Sequence, residues 1–589
     1  MTVDSAGDIS TETGSYAAHR PVIAARRHVV SAGHYLAAQA GFHVLEAGGN
    51  AVDAGVASAL VLGVVHSDQV NIAGVAPMII FMAETEELVV IDGLGRWPAA
   101  ANCEYFQRKH GGEIPHGLMR SIIPAAPQAH LTALERYGRM SFGEVASFAT
   151  RFAREGFVMY PFLNTQLKMV EARNRRWSSN AAIYLPNDCT PEVGEVFVQS
   201  DLGASLQYMM DEEAAVLARG GDRKAGLRAA RDAFYRGDIM RKITRFHAEN
   251  GGWLTERDMA DYDVRIERTQ MARYGELEIH SCGFWCQGPA LPQAMGILRC
   301  VDLAGMGHNT VPYIHHVAEA LKLTFADRER HYGDPDFLDV PAETLLSEAY
   351  AAQRRALINP ELAWPEMPPA GIIRPNQQPL AAPLPSLTEP SIPPLDTSYA
   401  CAVDRWGNAI SVTPSDVSSD TIIIPGTGLA PSSRGSQSRA DPNHPAALAP
   451  GKRPRLTPNP AMVLQPGRRV MPLGTPGGDS QVQAMVQVLL NIAVFGMDPQ
   501  TAIEKPRFIS YSHPDSFAPH AYYPGRLCLE GRIPEEIGEG LSRLGHDIRR
   551  WPDWLWRAGG VCLIDSDRSA GIHRAGADPR RAAAYAVGW

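Results

Sequence analysis

Ten prolines fall between Pro365 and Pro394. Proline lacks the backbone N–H that helices and sheet ladders need, so the stretch from about 364 to 396 predicts a surface linker without regular structure. It ends at Leu395-Asp396-Thr397, and the next residues, TSYACAVD (397–404) and AISVT (409–413), alternate as two paired strands around a turn at 405–408. A buried strand that starts abruptly after an exposed linker is an odd design for one uninterrupted chain. It is a natural design for a chain that is cut at the junction.

The 589 residues exceed what one compact core accommodates, and 45% apolar with 20% charged residues is ordinary globular composition. One large unit of two lobes or layers, or two domains, is expected. A formal charge of −9, from 64 acidic against 55 basic residues, argues against a nucleic-acid partner. The first twenty residues are polar and acidic with no signal-peptide core, and no apolar stretch approaches the ~18 residues of a membrane span. The expected location is therefore cytoplasmic. Of the eight cysteines, Cys282 and Cys286 lie closest, but three residues separate them where zinc and thioredoxin motifs have two, so neither a metal nor a disulfide scaffold is expected.

Residues 32–65 read as two helices separated by a glycine stop at Gly48-Gly49, the second capped by Asn50 and apolar enough to be buried all round. MIIFMAETEELVVID (78–92) reads as a hairpin, 116–250 as largely helical, 274–282 as a strand and 313–334 as a long helix. The tail carries a strand at 470–478, a helix from Gln481 to Phe495 and a closing strand at 560–565.

Seven blocks, EAGGNAVDAGVASALVLGVV (46–65), WLTERDMADYDV (253–264), EALKLTFADRERHYGDPDF (319–337), TSYACAVDRWGNAISVT (397–413), PGTG (425–428), GKRP with TPNPAMV (451–463) and GTPGGDSQV (474–482), stand in the order of the gamma-glutamyltransferases. Over roughly residues 20–589 the chain resembles that family of N-terminal-nucleophile hydrolases. The resemblance implies an α+β fold, a four-layer αββα sandwich, made as a precursor that cleaves itself between Asp396 and Thr397. It also implies a large subunit of residues 1–396, with a tail at 1–20, and a small subunit of 397–589 headed by the nucleophile. The chemistry fits that position. A threonine hydroxyl needs a base, and a freed α-amine with a pKa near 8 supplies one in the same residue. Gly477 and Gly478 match the family's oxyanion-hole glycines, and Ser415 falls where a second hydroxyl supports the nucleophile. No cofactor and no metal are implied.

The chain departs from the family on the side that reads glutamate. Asp92-Gly93-Leu94 lacks the arginine that clamps the α-carboxylate, leaving Arg96 two residues on as a substitute only if the loop is displaced. Ser432-Ser433-Arg434-Gly435-Ser436-Gln437 replaces an Asn-Asn-(Gln/Glu)-Met-Asp-Asp segment, a Ser-Ser pair has become Leu456-Thr457, an Asn has become Val417, and Tyr399 stands in place of His. The candidate substrate contacts are thus Arg96, Arg434, Gln437, Thr457 and Tyr399.

The leading expectation is an autoprocessing amidohydrolase or acylase whose acyl group is not a plain γ-glutamyl unit, as in cephalosporin (glutaryl) acylases, with Arg434 and Arg96 as candidates to hold an acid group. An ordinary glutathione hydrolase with a rearranged pocket, and an uncleaved inactive or carbon–carbon-bond-cleaving homologue, stay open. The partners expected are a small-molecule amide and the two subunits of one precursor. Homo-oligomerisation is left undecided.

Overall fold

The helices at the start of the chain show how small residues build the centre of the molecule. In a computed structural model that describes residues 18–373 and 396–589, Tyr35–Glu46 and Ala51–Val65 are helical. Asn50 caps the second helix by accepting from the N–H groups of Val52 and Asp53, while Asp53 accepts from the Asn50 N–H in return. All fifteen residues of Ala51–Val65 are buried, so this helix is covered on every side. Gly55 lets it press onto the sheet below, since a Cβ there would stand 2.4 Å from Ile410 Cγ2.

That sheet has seven strands in the order Tyr585–Gly588, Val29–Ala32, Ala400–Val403, Ala409–Val412, Met78–Met82, Glu87–Ile91 and Ile266–Glu267. A second sheet runs Ile23–Ala25, Ile572–Ala577, Cys562–Asp567, Arg469–Gly474, Ala461–Gln465, Leu277–Ser281 and Gln270–Tyr274. Every pairing of neighbouring strands within both is antiparallel. The period of two sorts their side chains. Cys401 and Val403 join Met462, Val470 and Ile564 in a core between the sheets, while Ala400 and Ala402 face the helices packed on the outer side. A third core lies under the helices Ala290–Leu298, Val311–His331 and Ser480–Ala493 on the far face of the second sheet. Helices, sheet, sheet, helices is the expected four-layer αββα order.

Each sheet mixes strands from before residue 373 with strands from after residue 396. The expected helices, the hairpin at 78–91 and the pair 400–403 and 409–412 are all present. Most of the proline-rich linker, 374–395, lies outside the described residues, and 365–373 has neither helix nor strand. Two expectations are corrected. The strand at Cys562–Asp567 does not close the fold, because Ile572–Ala577 and Tyr585–Gly588 follow it and join one sheet each. The junction is not exposed either: Asp396 and Thr397 are fully buried, the Asp396 carboxylate being drawn inward by Arg434. No helix among the described residues is long and apolar enough to cross a membrane.

Gly55→Ala forces a methyl group into Ile410 and is expected to destabilise the fold by about 1–3 kcal/mol. Thermal unfolding followed by circular dichroism checks this through a lowered midpoint.

Candidate active site

Thr397 sits at the entrance to strand Ala400–Val403 with a backbone φ of 87°, a conformation costly for a β-branched residue. Its N–H donates to the Gln69 carbonyl at 2.9 Å, an acceptor shared with the Asp416 N–H at 3.1 Å. Its hydroxyl lies 2.9 Å from Asp396 Oδ1 and 2.7 Å from Ser415 Oγ. Ser415 is fixed by paired backbone bonds with Val75, 2.9 and 3.1 Å long.

Arg434 closes this cluster. Its Nη2 meets both Ser415 Oγ and Asp396 Oδ2, and its Nε lies 3.8 Å from Asp416 Oδ2. Asp416 is itself held by the hydroxyls of Ser432 and Ser433. Burial opposes the charge on Arg434, but Asp396 and then Asp416 outweigh it and hold the guanidinium above its ordinary pKa. Burial raises Asp396 above the usual carboxylate range, with Arg434 pulling the other way.

Strand Arg469–Gly474 reaches the same end of the molecule. Gly474 packs beneath the Tyr399 ring, where an added Cβ would stand 2.3 Å from Cε2. Three residues later the chain turns through Gly477 and Gly478, at φ 126° and 56°, into the helix Ser480–Ala493. Both glycine carbonyls are occupied, by the Ser480 and Gln481 amides, while neither glycine N–H has a partner among the described residues. Two free N–H groups at a helix N-terminus are what a developing oxyanion requires. Gln287 braces the turn by donating to the Gly478 and Thr457 carbonyls, each at 2.9 Å.

The other candidates divide. Gln437 and Thr457 are buried together, but each satisfies the other: Gln437 Nε2 donates to Thr457 Oγ1 at 2.7 Å, and Gln437 Oε1 accepts the Thr457 N–H at 3.1 Å. Tyr399 points into the core between the sheets with its hydroxyl 2.7 Å from Ser411 Oγ, so it offers no free polar group. Arg96 reaches Asp336 and the Gly451 carbonyl, both at 3.3 Å, and no polar contact among the described residues links it to Thr397. Leu94 is fully buried and brings no donor.

Several supporting residues lie beyond the reach of sequence pattern. Arg453 Nη1 meets Asp92 at 3.1 Å and Glu267 at 2.8 Å, while its Nη2 meets Asp334 at 2.8 Å. Arg328 holds Asp479, the residue after the glycine pair, at 2.6 Å. Behind Gln69, its side chain accepts from Arg581 at 2.6 Å, and burial pushes the neighbouring Asp68 up to about 7. Cys282 and Cys286 are free and buried. One buried trio among the described residues, His315, Glu319 and His546, has metal-type ligand atoms within 4.8 Å of one another. Its groups are already engaged, since Lys322 pairs with Glu319 at 2.8 Å and the two imidazoles meet at 3.0 Å.

Two face-to-face antiparallel sheets between helical layers, shared with known acylase and transpeptidase structures, define a fold of the N-terminal-nucleophile hydrolase type. The family model for gamma-glutamyltranspeptidase matches residues 37–588, and the chain belongs to that family. It is 29% identical over 521 residues to the acylase ACY 1 proenzyme of Pseudomonas sp. (strain SE83), covering 84% of this chain and 83% of that one. It is 30% identical over 535 residues to the glutathione hydrolase-like YwrD proenzyme of Bacillus subtilis (strain 168), covering 89% and 91%. The structure of cephalosporin acylase from Bacillus halodurans superposes with a TM-score of 0.83 at 26% identity, over 100% of this chain and 99% of that one.

Arg453→Met strands buried carboxylates and is expected to lower stability by about 3–5 kcal/mol. Burial already pushes Asp92 up to about 6 against the pull of Arg453. A carboxyl whose folded pKa is raised is least costly when protonated. The deficit in urea midpoint should therefore be smaller at about pH 5 than at about pH 8.

Proposed function

We propose that the protein is a self-processing amidohydrolase, an acylase that works through an acyl-enzyme on Thr397 and prefers an acidic acyl group lacking an α-amine. The observation that carries this reading is the Thr397 hydroxyl, held in a buried cluster at the head of a central strand by Ser415 and Asp396, both of which Arg434 binds. The names of similar proteins, an acylase proenzyme and a cephalosporin acylase, support both the processing and the chemistry.

In this proposal the chain is cut before Thr397 into pieces of residues 1–396 and 397–589. The released amine takes the proton from Oγ1 as it attacks the amide carbonyl, Ser415 orients the nucleophile, and the Gly477 and Gly478 N–H groups receive the oxyanion. Collapse expels the amine leaving group with that proton, and water then releases the acid. Arg434 sits within reach of the reacting oxygen through Ser415. When Asp396 becomes a chain end and leaves, Arg434 loses its closest carboxylate and can take the substrate's.

A γ-glutamyl head group has fewer partners. Leu94 offers no donor for its carboxylate, and Gln437 is neutral and spent on Thr457. Arg434 would repel its ammonium. Each missing charge-assisted hydrogen bond is worth about 1.5–3 kcal/mol, so losing two weakens binding roughly a hundredfold or more.

Intact mass and N-terminal sequencing should give two pieces, the smaller beginning Thr-Ser-Tyr-Ala, and Thr397→Ala should give one uncut chain without turnover. An active single chain would sink the mechanism. On matched anilides, the glutaryl compound should have a kcat/KM at least about tenfold above the γ-glutamyl one. The reverse order would replace this reading with a glutathione hydrolase.

A further inference from the structure

The released amine cannot assist the cut that creates it. Before cleavage the Thr397 nitrogen is an amide whose hydrogen is given to the Gln69 carbonyl. Some other group must take the hydroxyl proton, and among the described residues only two side chains are in hydrogen-bond contact with Oγ1, Asp396 and Ser415.

The direction of the protons decides between them. Arg434 can only donate, and an ionised carboxylate can only accept. The hydrogen between Thr397 and Asp396 is therefore the threonine's own. Each hydroxyl carries one hydrogen, so the hydrogen between Ser415 and Thr397 belongs to Ser415, which in turn accepts from Arg434. The chain of donors runs from Arg434 through Ser415 and Thr397 to Asp396, and the ion pair between Asp396 and Arg434 closes it.

We propose that Asp396 is the general base of the self-cleavage, accepting the Thr397 proton on Oδ1, with Arg434 as the residue that positions its carboxylate. The inference rests on the processing reading above and deepens it. As the proton passes to Oδ1, the O–H electron pair forms the bond from Oγ1 to the Asp396 carbonyl carbon, and the carbonyl π pair becomes the oxyanion. Collapse breaks the C–N bond, and the nitrogen takes the proton back from the Asp396 carboxyl. The products of this step are an ester on Oγ1 and a free amine. Water then adds to the ester, leaving a carboxylate on Asp396 and the hydroxyl on Thr397. The Thr397 backbone at φ 87° favours this outcome, because cutting the peptide releases the strained conformation.

Asp396 faces Arg434 and Asp416, with Asp68 within electrostatic range, and Asp420 acts on Arg434 from behind. Burial and Asp416 both disfavour its ionised form, while Arg434 favours it. A base works only when ionised, so the rate of cutting should fall as pH drops through the Asp396 pKa and level off above it.

The test follows full-length precursor, captured by brief expression in the cold, as it is converted at a series of pH values, by intact mass. Wild type should show the acid limb. Asp396→Asn should cut about a hundredfold or more slowly, without that limb, and Asp396→Glu should recover part of the rate because it keeps a carboxylate. Arg434→Lys should move the limb to higher pH. Equal rates for wild type and Asp396→Asn, or for the Asn and Glu variants, would overturn the proposal. If Asp396→Asn proves insoluble, the wild-type profile decides alone, and its lacking an acid limb overturns it. A wild-type chain that is never cut at Thr397 instead removes the processing reading on which this one stands.

Discussion

The molecule depends on one hydrogen-bond ladder, which seats strand Ala400–Val403 between Val29–Ala32 and Ala409–Val412. Its register, Ala400 opposite both Ala32 and Val412, carries Thr397 past the end of the paired segment. There it meets the loop of Gln69 and the bonds between Ser415 and Val75. A slip of one residue would exchange the two faces of the strand, placing Cys401 against the helices and Ala402 in the core between the sheets. The site is thus fixed by packing on both faces of one short strand.

Around that strand the interior is unusually rich in charge. Arg328, Arg434, Arg453 and Arg580 are buried, and each faces one or more buried or half-buried carboxylates. Burying an ion pair is rarely a net gain, but removing one partner is strongly destabilising. Such groups therefore restrict the conformations the neighbouring turns can adopt. Arg328 fixes Asp479 beside the glycine turn, and Arg453 ties the end of the hairpin at Asp92 to Asp334. Only in the Thr397 cluster does one partner of the pair belong to the peptide bond proposed to break.

Much of the fold is legible in the sequence because local signals agree with tertiary ones. The Gly48-Gly49 stop, the Asn50 cap and the unbroken small apolar run define the buried helix, and alternation marks the strands at 400–403 and 409–412. Ile572–Ala577 and Tyr585–Gly588 escape notice since IHRAGA carries two basic side chains and an internal glycine, and YAVG is four residues long and ends on glycine. Arg434 is visible as a charge out of place in its segment, but its partner is not. The contact spans 38 positions back to a junction that composition paints as exposed. Gln69, Gln287 and Arg581 are single polar residues with no periodic neighbours, and only the folded chain shows why each stands where it does. Tyr399 shows the converse, a position singled out for binding that packing claims for the core.

The interleaving of early and late strands in both sheets bears on how the protein meets heat. While the chain is continuous, an unfolded molecule finds its missing strands on its own backbone, and refolding is unimolecular. If the chain is cut as proposed, Val29–Ala32, a partner of Ala400–Val403, and Ile23–Ala25, a partner of Ile572–Ala577, sit on a separate polypeptide, and recovery becomes a bimolecular encounter between unfolded chains. Dilution then acts as a denaturant of its own, and the lifetime of the assembled molecule is governed by the barrier to unfolding and not by the equilibrium beyond it.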